Sequence, residues 1–140
     1  MSTPCVIGVK EGEKVTWVHV HGDGGINVTG LRLVNHYETL DKAKDLIAGG
    51  DFAYLETNKD NIRYYAEAGE RNVDPQVADL FMFYRCNKSI IKYLYEDGLW
   101  YGVKWLYHKP GEYVPFMEQY KLEPLNYALE HSINPFDSND

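Results

Sequence analysis

The chain has 140 residues, enough for one domain that buries roughly two-thirds of its unfolded surface without a disulfide or metal staple. Hydrophobic residues make up 44% and charged residues 25%, ordinary values for a globular chain, whereas 12 tyrosines are many and need a structural destination. The net charge of −7 is not gathered into a like-charge block and argues against a nucleic-acid backbone as main partner, because such binding runs on Lys and Arg.

Cys5 and Cys86 lie far apart and outside any C-x-x-C spacing, so neither a disulfide framework nor a cysteine zinc site is indicated. No apolar run reaches the ~18 residues needed to cross a bilayer. "MSTPCVIGVK" has a strand-like pattern, not a signal-peptide layout. The expected location is cytoplasmic, with no membrane partner.

"CVIGVK" and "KVTWVHVH", joined by "EGE", predict an antiparallel hairpin. In the second run a period of two puts Val15, Trp17, His19 and His21 on one face and Thr16, Val18 and Val20 on the other. Both faces carry apolar residues, which predicts a strand inside the sheet. After the turn "GDGGIN", Val28, Leu31 and Val34 stand at helical spacing with Asn27 as a cap. "ETLDKAKDLIAGGD" predicts a second helix that starts near Glu38 or Thr39, turns Leu40, Ala43, Leu46 and Ile47 inward and stops at Gly-Gly.

Ile62, Tyr64 and Ala66 alternate with Arg63, Tyr65 and Glu67, which predicts a strand over 62–67. "DPQVADLFMFYRC" opens with the helix-start pair Asp74-Pro75 but ends in aromatics that suit a strand equally. In "IIKYLYEDGLWYGVKWL", Asp97-Gly98 is a type I′ turn pair. It sets Glu96 opposite Leu99, Tyr95 opposite Trp100, Leu94 opposite Tyr101, Lys92 opposite Val103 and Ile90 opposite Trp105. Ile91, Tyr93, Tyr95 and Trp100 then share one face, and cross-strand pairing absorbs much of the tyrosine excess. From His108 onward, Pro110, Pro115, Pro124 and Pro135 break the chain. Only "PLNYALEH" reads as a helix there, and "SINPFDSND" reads as a disordered acidic end.

The elements together predict an α+β fold: a mainly antiparallel sheet of four to five strands, two helices on one face and an irregular C-terminal arm. Residues 1–107 form the α+β domain and 108–140 the Pro/aromatic arm.

His19 and His21 share a strand face about 6.5–7 Å apart, close enough to hold one metal, with Asp23 or His36 as a third ligand. So short a motif is nonspecific. The simpler expectation is that His19 belongs to a half-buried face beside Trp17 while His21 and Asp23 serve the glycine turn. "GDGGINVTG" offers backbone amides to an anion, but it lacks a phosphate-loop pattern and Asp23 repels phosphate. Arg32, Arg63, Arg71 and Arg85 are conceivable phosphate contacts. No Ser–His–Asp or Cys–His spacing stands out, so Cys5 and Cys86 are expected to be buried structural thiols. Tyr107, Tyr113, Phe116 and Tyr120 suit either a partner's pocket or the domain's own sheet. No catalytic residue and no cofactor is assigned.

The order of strand, "HGDGG" turn, helix, "NHY", helix, "GGD", "YAEAGE" and "YLYEDGLWYGV" resembles a family of small uncharacterised bacteriophage proteins. These begin Met-Ser/Gly-Thr and carry a His-Trp-Asp-Gly-Tyr-Pro loop, and the similarity spans residues 1 to about 105. At that loop His21, Asp23 and Gly24 match, while Gly22, Gly25 and Ile26 replace the Trp, Tyr and Pro. The resemblance implies a phage accessory protein in the host bacterial cytosol. With the missing catalytic constellation, the acidic balance and the aromatic arm, it leads to a non-enzymatic protein that binds and inhibits a host protein, a defence or nucleic-acid-processing factor. His21, Asp23, Gly24, Arg32, His36 and the arm aromatics are its expected contact residues. The alternatives are a protein that binds or sequesters a small nucleotide signal, and a metal-dependent hydrolase built on His19, His21 and Asp23. A homo-oligomer remains open.

Overall fold

Strict alternation in the first two runs builds the centre of the sheet. In the computed structural model, which describes residues 3–86 and 91–136, β1 (Cys5–Glu11) and β2 (Lys14–Val20) pair antiparallel. Cys5, Ile7, Val9, Val18 and Val20 enter one apolar layer, and Val6, Val15 and Trp17 enter the other. Both strands are therefore interior, as the two-faced pattern of β2 predicts.

The full sheet has six strands in the order β3-β2-β1-β4-β5-β6, adding β3 (Gln76–Ala78), β4 (Lys92–Glu96), β5 (Leu99–Trp105) and β6 (Tyr120–Pro124). All neighbours are antiparallel except β1 and β4, which run parallel. The expected α+β class holds, but the sheet is mixed and larger than expected. The parallel pair arises because the chain makes a long excursion after β2 and returns beside β1 in the same direction.

The β4–β5 hairpin has the predicted register, with Tyr95 opposite Trp100 and Leu94 opposite Tyr101; Asp97 and Gly98 take φ of 50° and 89°. The expected Ile90 pairing lies outside the described residues. Tyr93, Tyr95 and Trp100 share one layer and Leu94 and Val103 the other.

Helix α1 (Leu31–His36) and helix α2 (Leu40–Ile47) cover the same face, as predicted. Thr39 caps α2 by accepting the Lys42 amide at 3.2 Å. Ala43, Leu46 and Ile47 are buried, while Leu40 stays 39% exposed. The entry to α1 differs from expectation. A π-helical turn at Ile26–Gly30 precedes it, anchored on the Gly25 carbonyl, and Asn27 lies inside that turn rather than capping a helix. The wider turn shifts the helical phase. The buried face is consequently Thr29, Gly30, Leu33 and Tyr37, and Leu31 points outward.

No strand forms at 62–67. Tyr64 makes one isolated bridge to Phe52, and its hydroxyl donates to the Leu46 carbonyl. Ile62 and Tyr64 are buried in the helix-covered layer instead of a sheet ladder. The ambiguous "DPQVADLFMFYRC" contains both elements: β3, then α3 (Leu80–Arg85), which starts at Asp79 and not at Asp74-Pro75. Asp79 accepts the Met82 amide at 2.9 Å, which decides the start. Phe83 and Tyr84 of α3 cover the opposite face of the sheet.

The C-terminal arm is more regular than expected. β6 covers the otherwise open edge of β5, and α4 (Leu125–His131) follows Pro124 and buries Leu125 and Ala128. Phe136 packs edge-on against Tyr93 at 5.2 Å, so the expected disordered end is packed as far as this residue. Residues 137–140 lie outside the described residues. Among those described, no helix is long and apolar enough to cross a membrane.

Candidate functional site

Two loops converge where β2 ends. Gly50 adopts φ of 88°, and a Cβ on it would run into the Val73 carbonyl, a place with no room for a side chain. Asp51 follows, its amide donating to Val73 at 2.8 Å and its carbonyl accepting the Tyr65 amide at 3.1 Å. Its Oδ1 accepts the backbone amide of His19 at 2.8 Å. The acid is thus held against the strand by backbone bonds on three sides.

The imidazole of His19 lies between two groups. Nδ1 is 3.5 Å from Asp51 Oδ1, and Nε2 is 3.4 Å from Cys86 Sγ. Burial works against the cation, yet the Asp51 carboxylate and the Cys86 sulfur together raise the pKa from 6.5 to about 9. The sheet register also sets Lys92 on this face. His19 and Lys92 both pair with Val6, from β2 and β4, so the three stand in one row on the face that α3 covers. Lys92 is only 7% exposed, and burial holds its pKa below the usual lysine value.

Beside His19 a cavity of about 410 Å³ opens, with His19, His21, Asp51, Tyr65, Asn72 and Gln76 in its walls. These polar side chains come from β2 and the turn that follows it, the segment after α2, the 65–72 turn and β3. Cys5 forms part of the apolar wall; burial pushes its thiol far above the ordinary range and makes it inert.

The structure separates the residues expected to act together. His21 lines the cavity, is exposed and meets Tyr54 edge-on at 6.2 Å. Asp23 points to solvent at φ 56°, and its carbonyl accepts the Thr29 hydroxyl at 2.6 Å. Gly24 is structural: its amide donates to Thr3 at 2.7 Å and its carbonyl accepts Tyr93 Oη at 2.6 Å. The amides of His21 and Gly22 are bonded to Phe52 and Ala53, so this turn does not present a nest of amides to an anion. Arg32 donates to the Leu55 carbonyl, and Arg85 lies over the Phe81 ring. His36 sits in a separate shallow depression beside Tyr37 and Lys42.

The four arm aromatics divide. Phe116 and Tyr120 pack onto the domain, Phe116 on Phe81 at 5.2 Å and Tyr120 on Tyr84 at 5.1 Å. Tyr107 and Tyr113 remain 58% and 86% exposed.

One alternative and one expectation about chemistry change. His19 does not join His21 and Asp23 as a metal ligand set, because its two ring nitrogens face Asp51 and Cys86; among the described residues no group of three His, Cys, Asp or Glu is disposed to hold a metal. Cys86 is not a sealed strand thiol but a half-buried residue at the end of α3. Its pairing with His19 spans 67 residues, which no local spacing could reveal. Asp51 and Tyr65 belong to the "GGD" and "YAEAGE" stretches, where no local pattern marks either as a site residue.

Comparisons of the chain with models of protein families, with curated proteins and with solved structures each find no match.

Proposed function

We propose that the protein binds a small polar molecule in the cavity at the end of β2. The observation that carries this reading is the convergence of six polar side chains from four separated segments on about 410 Å³, within the size range of small-molecule sites. Three of the stretches that carry the bacteriophage resemblance, "HGDGG", "GGD" and "YAEAGE", contribute His21, Asp51 and Tyr65 to that one cavity.

The lining also restricts the ligand. Asn72 and Gln76 supply paired donors and acceptors, and Tyr65 a hydroxyl. No arginine lines the cavity among the described residues, and the His19 imidazolium in its wall is already paired with the Asp51 carboxylate, which leaves little to hold a bare phosphate. A nucleobase or nucleoside therefore fits better than the phosphate end of a nucleotide signal. Mass spectrometry of the small molecules released on denaturing the protein, with thermal shifts over nucleobases, nucleosides and nucleotides, tests this. Nucleosides should shift Tm at least as far as their phosphates, and Asn72→Ala should cancel the shift. An empty protein that responds to none of them ends the proposal.

A second reading is favoured by Tyr107 and Tyr113, which stand out from the segment between β5 and β6. Here the protein is a phage accessory protein in the host cytosol that binds and inhibits a host protein, with these two tyrosines as anchors. A host-lysate pull-down should recover one stoichiometric partner and lose it with Tyr113→Ala at unchanged Tm. Recovery of none, or equal recovery by both forms, removes this reading.

A further inference from the structure

We propose that Cys86 is a nucleophilic thiol whose general base is His19, oriented by Asp51, and that it transfers acyl groups from small activated esters or thioesters to water. The proposal goes beyond ligand binding and rests on a different contact, the row of Cys86, His19 and Asp51. Sγ is 3.4 Å from Nε2, and Asp51 Oδ1 lies 3.5 Å from Nδ1 while also accepting the His19 amide at 2.8 Å. A nucleophile, a base on one ring nitrogen and an acid on the other is the arrangement that covalent acyl transfer requires.

The surroundings support the same role. Cys86 closes the C-terminal end of α3, where the helix dipole opposes a thiolate, so positive charge must come from elsewhere. His19 supplies it from β2, and the Lys92 ammonium on β4 lies within electrostatic reach of the same sulfur. Arg85 is turned onto Phe81 instead. Charged groups that face the thiol include His19, with Asp51 behind it, and Lys92. The other cysteine, Cys5, is 1% exposed, and its thiol hydrogen-bonds to Thr29.

The chemistry balances with water alone. In the resting pair the Cys86 proton already sits on His19 Nε2, and the Sγ thiolate attacks the acyl carbon. The S–C bond forms, the bond to the leaving group breaks, and the leaving group departs with the proton from His19. Water then attacks the thioester and gives its proton to His19, the S–C bond breaks, and the thiolate–imidazolium pair is restored. The carboxylic acid is released. Asp51 is a positioning residue in this scheme.

The rate of iodoacetamide alkylation at Cys86, followed by peptide mass against pH in the folded full chain, tests the activated thiol without any ligand. Failure of the cavity reading therefore leaves it standing, and the reverse. Alkylation should persist well below the ordinary thiol pKa of about 8.5. His19→Gln should slow it about tenfold near pH 7 and restore the ordinary profile, with Asp51→Asn between the two. Protection of Cys5 reports that each variant is folded. With p-nitrophenyl acetate, the wild-type chain should acquire an acetyl group on Cys86 and turn over, and Cys86→Ala should do neither. An ordinary profile in the wild-type protein, which needs no variant to fold, overturns the proposal. So does a profile that His19→Gln leaves unchanged, or acetylation without turnover.

Discussion

The hydroxyl of Tyr93, in the fourth strand, donates to the carbonyl of Gly24, 69 residues earlier, at 2.6 Å. Tyr93 is fully buried, so this bond ties the glycine turn to the centre of the sheet. Tyr93→Phe removes the donor and leaves a buried carbonyl unpaired, at a cost of about 1–3 kcal/mol. Urea unfolding should record that loss, and amide exchange at His21–Gly25 should quicken. An unchanged midpoint would show that water replaces the hydroxyl.

Gly24 itself should tolerate no side chain. A Cβ there would lie 2.6 Å from the Thr3 carbonyl oxygen and 2.7 Å from Cys5 Cβ. Gly24→Ala must push the amino-terminal segment off the turn and is expected to cost about 2–4 kcal/mol. Gly25→Ala meets nothing within 4 Å and should cost far less. Thermal unfolding of the two variants side by side separates a packing role for Gly24 from a general need for flexibility.

The pairing of His19 makes stability depend on pH. Its pKa is higher folded than unfolded, so the contribution is complete below about 6.5 and disappears as pH rises through about 9. Screening at this partly exposed side chain reduces the effect to about 1–2 kcal/mol. Lys92 works in the opposite sense at higher pH, because burial lowers its folded pKa. The difference in urea stability between wild type and His19→Gln isolates the histidine. That difference should shrink from pH 6 to pH 9; a constant or growing difference would mean that the Asp51 and Cys86 contacts do not hold the imidazolium.

The arm after residue 107 should be indispensable. Its β6 pairs with β5 over Tyr101–Trp105, and Leu125 is fully buried in the helix-covered core. A chain ending at residue 107 exposes the β5 edge and empties the Leu125 site, so it should not show a cooperative transition. Leu125→Ala alone should cost about 2–5 kcal/mol. A cooperatively folding 1–107 fragment would restore the arm to the status of an appendage.

Local chemistry made much of this fold readable. Asp97-Gly98 admits one tight hairpin, and its register carries Tyr93, Tyr95 and Trp100 to one face without further information. Thr39 and the Gly49-Gly50 pair bound α2 in the same way. The strand expected at 62–67 failed because alternation reports only which residues are buried. Tyr64 is buried by a helix and a loop, and its hydroxyl satisfies a helix carbonyl rather than a ladder.

By itself, then, the sequence determined the elements whose caps, turns and periodicities act within a few residues, and the α+β class that follows from them. Tertiary structure alone decided that β4 returns parallel to β1, and with that choice His19 and Lys92 came to flank Val6. It also placed Cys86 on His19 and Asp51 behind it, across separations of 67 and 32 residues. No local propensity encodes such contacts. They exist because burying two faces of one sheet brings distant strand ends and helix ends to the same place.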